Sequence, residues 1–239
     1  MATLVLAHGA GAGSAHPWMQ RVAAGLTARG VAVVTFDFPY IRAGKRVPDR
    51  QPVLEAAWRE AWRDATARAT GPFFAGGKSM GGRMASVVAS RGATMKEAAS
   101  KGAAMKEAAS RGAAMNGGAI ERRAATGEDP HGPHGFVPKP CGLVFFGYPL
   151  HPPNKPQQRR DAHLPAIDVP MLFVHGERDP FGTPDEMRAL VSGLPRATLR
   201  MVAGGDHSLA APKRADPGAA RLEEALDAAA AWILAQSCD

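Results

Sequence analysis

Apolar residues along this chain form short, nearly continuous runs, and the segments between them have helical periodicity. The runs predict strands at residues 3–7, 31–37, 72–75, 142–147, 170–175 and 198–203. The periodic segments predict helices at residues 16–29, 52–69, 80–90, 184–194 and 218–235. Buried strands that alternate with helices are typical of a parallel sheet covered on both faces. The pattern therefore predicts an α/β fold with a mostly parallel sheet of about six strands.

Length and composition favour one domain without a membrane partner. The 239 residues suit a single sizeable core, and no apolar run approaches the roughly 18 residues that cross a bilayer. The run Ala2–Ala7 ends at His8 and has no basic leader, which favours the first strand of a cytoplasmic protein over a signal peptide. Cys141 and Cys238 are too few for a disulfide framework, and each is predicted to be an inert thiol.

The net charge of +7 invites a nucleic-acid interpretation. The Lys and Arg residues are scattered, however, and aromatic residues are few. Trp58 and Trp62 lie four residues apart in an amphipathic helix, where they are expected to pack on the sheet rather than to stack on bases. We interpret the charge as a solvated basic surface and expect no nucleic-acid partner.

The stretch FFAGGKSMGG, residues 73–82, is compatible with two incompatible motifs. A phosphate-binding loop, G-x-x-x-x-G-K-[ST], would need a glycine where Pro72 stands. The alternative is Gly77-x-Ser79-x-Gly81, the nucleophile elbow of a serine hydrolase, which requires a strand before it, a helix after it and small neighbours. Both flanking elements are predicted here. A plain glycine-rich turn that contains a serine stays open until partners for Ser79 are found.

A nucleophilic serine needs a base and an acid that orients the base. Asp179 follows the strand at 170–175 and His207 follows the strand at 198–203, in the order Ser–Asp–His that hydrolases of this architecture use. Taken singly, Asp179 fits a turn and His207 fits an ordinary surface position. Glu177 and Asp206 are rival acids. The rival bases, none of which follows the last strand, are His8, His16, His151, His163 and His175.

Backbone donors for an oxyanion and a substrate pocket are also predicted. The His8-Gly9-Ala10-Gly11 turn follows the first strand, and we expect the N–H groups of Ala10 and Met80 to form the oxyanion hole. Gly9 and Gly11 are predicted to border the substrate. The segment after the fourth strand is predicted to line a small open pocket that favours short acyl groups, through Tyr148, Leu150 and His151.

Two stretches of the sequence suggest cofactor sites, which would compete with this interpretation. Gly9-x-Gly11-x-Gly13 after a strand suggests a dinucleotide loop, but the third glycine of G-x-G-x-x-G would fall on Ser14. His131, His134 and Cys141 suggest a metal site, yet a Pro/Gly-rich loop without a second ligand cluster favours plain loop. We therefore expect neither a metal nor another cofactor.

Several stretches match a known family beyond these single residues, at about residues 3–91 and 140–236. They are LVLAHGAGAGSAHPWM, TFDFPY, FFAGGKSMGGRMAS, GLVFFGYPLHPPNKP, LFVHGERDPFG and GGDHSL. In them the chain resembles small, lidless α/β-hydrolases, a dienelactone-hydrolase-like bacterial group classed with a subunit of a human chromatin acetyltransferase complex. The resemblance implies catalytic Ser79, Asp179 and His207 without a cofactor. The chromatin member implies that some relatives act as scaffolds.

A repeat-containing insertion at about 92–139 departs from that family. Three ten-residue units begin at Ser90, Ser100 and Ser110. Ten residues are not a whole number of helical turns, and each unit contains a glycine, so the repeated Met residues would drift around any helix. We interpret the segment as a tandem duplication that extends the helix after Ser79, with a linker at Gly127–Pro140, and not as a lid. An interaction arm is the alternative.

Together these features predict a serine hydrolase acting on a small-molecule acyl substrate, a carboxylic ester or related compound. A catalytically silent scaffold with the same fold is the alternative. Lys78 and Arg83 flank the nucleophile and either bind an anionic substrate or pair with a carboxylate, and the second option is favoured.

Overall fold

Six parallel strands form one sheet in the computed structural model, which describes residues 1–91, 138–212, 214–216 and 219–238. The strands are β1 (Ala2–Ala7), β2 (Val31–Phe36), β3 (Phe73–Lys78), β4 (Gly142–Phe146), β5 (Met171–Gly176) and β6 (Ala197–Val202). Their order across the sheet is β2-β1-β3-β4-β5-β6, and every neighbouring pair is parallel. The predicted α/β fold is confirmed.

Helices cover both faces of this sheet. They are α1 (Pro17–Ala28), α2 (Pro39–Arg42), α3 (Gln51–Arg68), α4 (residues 80–91), α5 (Pro184–Ser192) and α6 (Ala220–Ala235). A 3-10 turn spans Leu164–Ala166. Successive residues of a strand point to opposite faces, so Leu4 and Leu6 belong to one buried cluster and Val5 and Ala7 to the other. The apolar runs in the sequence reflect strands that are buried on both sides.

The two faces have different helices. Trp58 and Trp62 of α3 are fully buried in one cluster, together with side chains of α4 and α5. The Trp58 indole N–H donates to the Gly81 carbonyl oxygen at 2.9 Å, which ties α3 to the turn after β3. Helices α1 and α6 fill the other cluster. The expectation that the two tryptophans pack on the sheet is therefore confirmed.

Cys141 and Cys238 form a disulfide, so the prediction of two inert thiols was wrong. They are 97 residues apart in sequence, and their pairing depends on how α6 lies. Trp232 of α6 contacts Phe74 in β3, with ring centroids 6.3 Å apart. The helix therefore runs back over the sheet and brings the chain end to Cys141, which precedes β4. Spacing along the chain does not carry that information.

Two further expectations concern membrane spans and the repeat-containing insertion. None of the described helices combines the length and apolar character that crossing a bilayer requires. The repeat units and most of the linker, residues 92–137, lie outside the described residues, so their predicted arrangement stays a prediction.

Candidate active site

Ser79 stands at a sharp turn between β3 and α4. Its φ of 49° is positive, a conformation that side chains other than glycine rarely adopt and that is often found at active sites. Its backbone N–H donates to the Phe146 carbonyl oxygen at 3.0 Å, and its own carbonyl accepts the Arg83 N–H at 3.0 Å. The serine is thus fixed at the carboxyl end of β3, above the start of a helix.

The glycines around Ser79 allow the close packing that this turn requires. A Cβ at Gly77 would lie 2.5 Å from the Ala7 carbonyl oxygen, and one at Gly81 would lie 2.5 Å from the carbonyl oxygens of both Ala7 and His8. These contacts leave room only for hydrogen atoms. The G-x-S-x-G spacing therefore follows from the approach of β1 to the turn, as an elbow requires.

Asp179 and His207 meet beyond the carboxyl ends of the strands, the end of the sheet at which Ser79 also lies. The His207 Nδ1 lies 2.8 Å from Asp179 Oδ2, and the other carboxylate oxygen accepts the Phe181 N–H at 2.9 Å. The Asp179 side chain is fully buried, whereas 22% of the His207 side chain is exposed. A carboxylate only accepts hydrogen bonds, so Nδ1 is the donor, and in a neutral ring Nε2 is then the nitrogen that can accept a proton.

Gly147 brings this pair close to Ser79. It follows Phe146, the residue that accepts the Ser79 N–H, and its φ is 66°. A Cβ there would lie 2.8 Å from the His207 carbonyl oxygen and 3.4 Å from Asp179 Oδ2. In the described part of the chain no hydrogen bond joins Ser79 Oγ to His207. Such bonds often tighten only when substrate is bound.

The rival acids have other partners. Glu177 Oε2 accepts the Gly204 N–H at 2.9 Å and so joins the loops after β5 and β6. Asp206 Oδ1 accepts the N–H groups of Ser208 and Ala210 at 2.7 and 3.1 Å, which closes the turn that carries His207. Both carboxylates organise loops, and neither is hydrogen-bonded to the imidazole.

Three of the rival bases, His8, His163 and His175, are likewise engaged in structural contacts. His8 Nε2 accepts the Phe38 N–H at 3.2 Å, and His163 Nε2 lies 2.7 Å from Ser86 Oγ. His175 Nε2 donates to the Gly182 carbonyl oxygen at 2.9 Å and lies 3.6 Å from Asp179 Oδ2. Burial lowers the pKa of His175, so a neutral ring packs behind the carboxylate. His175 therefore supports the loop that carries Asp179.

The predicted oxyanion donors belong to two segments that adjoin Ser79. A Cβ at Gly9 would lie 3.5 Å from the Ser79 Cβ, so the loop after β1 runs beside Ser79. Ala10 and Gly11 are the exposed residues that follow, and Met80 begins α4 directly after Ser79. The roles of Ala10 and Met80 in an oxyanion hole, and of Gly9 and Gly11 beside the substrate, stay predictions.

The three residues predicted to line an open pocket are buried instead. Tyr148 packs against Phe145 and Phe173, and its hydroxyl donates to the Arg160 carbonyl oxygen at 2.8 Å. Leu150 is completely buried. His151 Nε2 lies 3.1 Å from Glu186 Oε2, at the start of α5. These side chains anchor the segment after β4 to the core, and their placement does not support a pocket wall.

Among residues 1–91, 138–212, 214–216 and 219–238, no group of three His, Cys, Asp or Glu side chains is arranged to hold a metal ion. His131 and His134 lie outside these ranges. The residues predicted to act together, Ser79, Asp179 and His207, all follow the carboxyl ends of their strands.

Solved structures share this fold at low sequence identity. The chain is similar to a dienelactone hydrolase from Anabaena variabilis, with 16% identity, a TM-score of 0.60, and 100% of this chain and 88% of that chain covered. It is similar to an esterase domain from Rhodothermus marinus, with 14% identity, a TM-score of 0.58, and 96% and 85% covered. It is also similar to an α/β serine hydrolase without a lid from Xanthomonas campestris, with 14% identity, a TM-score of 0.55, and 99% and 84% covered.

Family membership rests on sequence. A comparison with curated proteins found no match, and the link to a chromatin-complex subunit stays an expectation. The model of the alpha/beta hydrolase domain, however, matches residues 1–106 and 117–234, most of the chain. The sheet order, the turn at Ser79 and this match agree: the chain belongs to the alpha/beta-hydrolase family.

Proposed function

We propose that this protein is a serine hydrolase that cleaves a small carboxylic ester or related acyl compound through an acyl-enzyme on Ser79. The observation that carries the proposal is the 2.8 Å hydrogen bond between His207 and the fully buried Asp179, at the sheet edge where Ser79 turns. A buried carboxylate aimed at a partly exposed imidazole is the arrangement of a general base.

The first half of the reaction forms the acyl-enzyme. His207 Nε2 takes the proton from Ser79 Oγ as the oxygen attacks the carbonyl carbon. The charge that develops on the carbonyl oxygen is stabilised by the N–H groups of Ala10 and Met80. The Asp179 carboxylate accepts the Nδ1–H and holds the resulting imidazolium. The intermediate then collapses: the bond from the acyl carbon to the leaving-group oxygen breaks, and His207 gives its proton to that oxygen, which departs as the alcohol.

The second half releases the acid. A water molecule replaces the alcohol, His207 Nε2 accepts its proton, and the hydroxide attacks the acyl carbon. Collapse of this second intermediate returns the proton to Ser79 Oγ. No step requires a metal or an organic cofactor. Known structures of similar fold include a dienelactone hydrolase and an esterase domain, which favours ester over amide substrates.

A catalytically silent scaffold is the alternative within the same family. A scaffold has no need of a buried acid paired with a histidine beside a strained serine, so the geometry favours the enzyme. The cytoplasmic location expected from the sequence is a separate proposal, and the Cys141–Cys238 disulfide counts against it.

Covalent labelling tests the proposal. We expect a fluorophosphonate probe to label the wild-type protein at Ser79, because a base-activated hydroxyl displaces fluoride from phosphorus. Peptide mapping by mass spectrometry locates the adduct, and p-nitrophenyl esters of graded chain length measure turnover. The matched control is Ser79→Ala. Labelling that survives this substitution would contradict the mechanism.

A further inference from the structure

Lys78 connects the nucleophile to the loop that carries His207. It is the last residue of β3 and directly precedes Ser79. Its ammonium donates to the His207 carbonyl oxygen at 2.9 Å and to the Ser208 hydroxyl at 3.1 Å. The sequence favoured a carboxylate partner for this lysine. Within the described residues its hydrogen bonds go instead to the polypeptide around the catalytic histidine.

Trp18 of α1 holds the same loop from the other side. The Lys78 ammonium lies 4.6 Å from the centroid of the Trp18 ring, within the range of a cation–π interaction. The Trp18 indole N–H donates to the Ser208 carbonyl oxygen at 2.8 Å. The His207 carbonyl, the Ser208 hydroxyl and the Ser208 carbonyl are therefore held by Lys78 and Trp18. These two side chains also contact each other.

The topology explains why this loop needs an anchor. His207 follows β6 at the edge of the sheet, three strand positions from β3, which is about 14 Å at ordinary strand spacing. The loop has to cross the ends of β5 and β4 to bring the imidazole near Ser79. Asp206 closes the turn internally, and Lys78 provides the connection to β3.

The charge of Lys78 is unfavourable where it lies. Burial lowers its pKa from 10.5 to about 8, although the negative charges of Asp179 and Asp206 act in the opposite direction. Because the folded pKa lies below the ordinary value, the charged side chain destabilises the fold below a pH of about 8. That contribution fades as the pH rises from about 8 toward 10.5. An apolar side chain would avoid it, so a half-buried ammonium at this position points to a role in the site.

We propose that Lys78 is a positioning residue for the reaction: its ammonium fixes the His207–Ser208 backbone so that the imidazole is held against Ser79. The inference rests on the proposed function. The charged groups that act on the ammonium are Asp179 after β5 and Asp206 after β6, whereas α1 presents the uncharged Trp18 ring.

The test compares Lys78→Met and Lys78→Arg with wild type. The measured quantities are the rate of fluorophosphonate labelling and the kcat and KM for p-nitrophenyl acetate, between about pH 6 and pH 10. At neutral pH we expect Lys78→Met to lose about tenfold to a hundredfold in kcat and in labelling rate, with a much smaller change in KM. A misplaced base slows the chemical step more than it weakens binding of a small ester.

The pH profile separates positioning from a merely structural role. In wild type, kcat should fall as the pH rises through about 8, because Lys78 then loses its charge. Lys78→Arg stays charged and should lack this alkaline decline, and Lys78→Met should be slow at every pH without it. Circular dichroism and the thermal midpoint check folding. Removing the half-buried charge of Lys78 should not lower the thermal midpoint of unfolding at neutral pH.

Lys139→Met is the matched control, because Lys139 forms an exposed ion pair with Asp168 at 3.1 Å, at the opposite end of β4 from the site. It should behave as wild type. A folded Lys78→Met variant with wild-type rates, or an alkaline decline that persists in Lys78→Arg, would overturn the inference while Ser79 labelling stays intact. Labelling that does not depend on Ser79 would instead overturn the proposed function.

Discussion

At the scale of single residues, the site depends on which acid holds His207. Both oxygens of the Asp179 carboxylate accept hydrogen bonds, one from the His207 imidazole and one from the Phe181 N–H. Glu177 also lies in the loop after β5 but faces Gly204. Position in the sequence alone did not decide whether Asp179, Glu177 or Asp206 orients the histidine. The hydrogen bonds separate them, because each rival is already used to shape a loop.

Replacing the buried acid should abolish most turnover without unfolding the protein. Asp179→Asn is nearly isosteric, yet an amide that donates to Nδ1 would force the wrong tautomer on His207. We expect kcat to fall by about 10³ to 10⁴, with an unchanged circular dichroism spectrum. Glu177→Gln serves as the control and should retain activity within about tenfold. Full activity of Asp179→Asn would transfer the role of the acid to Glu177 or Asp206.

At the scale of elements, the strands and the longer helices were predictable from the sequence, and the contacts that the loops make were not. Apolar runs located all six strands, and the ends of β3, β5 and β6 located Ser79, Asp179 and His207. The sequence did not show that Tyr148 and Leu150 fold onto the core, because a pattern of apolar residues does not distinguish a pocket wall from a buried anchor. The contact from Lys78 to the His207 loop was equally hidden, since it joins strands that are not neighbours.

The turn after β4 should be as important as the elbow itself. In Gly147→Ala the new methyl group would lie 2.8 Å from the His207 carbonyl oxygen, so the loop must move. We expect kcat to fall by about tenfold or more. Gly44→Ala is a matched control: its φ of 69° imposes similar backbone strain, of about 1 to 2 kcal/mol, but no atom lies within 4 Å of the added carbon. Equal kinetics in the two variants would contradict a steric route to the histidine.

At the scale of the whole molecule, the disulfide and the proposed catalytic residues lie at opposite ends of the strands. Ser79, Asp179 and His207 follow the carboxyl ends of their strands, whereas the Cys141–Cys238 disulfide lies before the start of β4. The sequence did not predict this bond, because the path of α6 across the sheet decides it. Disulfides persist mainly in oxidising compartments, so the bond counts against the proposed cytoplasmic location.

Breaking the disulfide should therefore lower stability and leave the reaction intact. A cross-link between residues 97 apart restricts the unfolded chain, which in the chain-entropy model stabilises the fold by up to about 4 to 5 kcal/mol. We expect Cys238→Ser, and wild type treated with a thiol reductant, to show the same decrease in thermal midpoint. Reductant should change nothing further in the variant. At temperatures well below the thermal midpoint, the esterase activity of the variant should match that of wild type, because the proposed catalytic residues lie at the other end of the strands. An unchanged midpoint in reductant would show that the two cysteines are independent thiols, as the sequence first indicated.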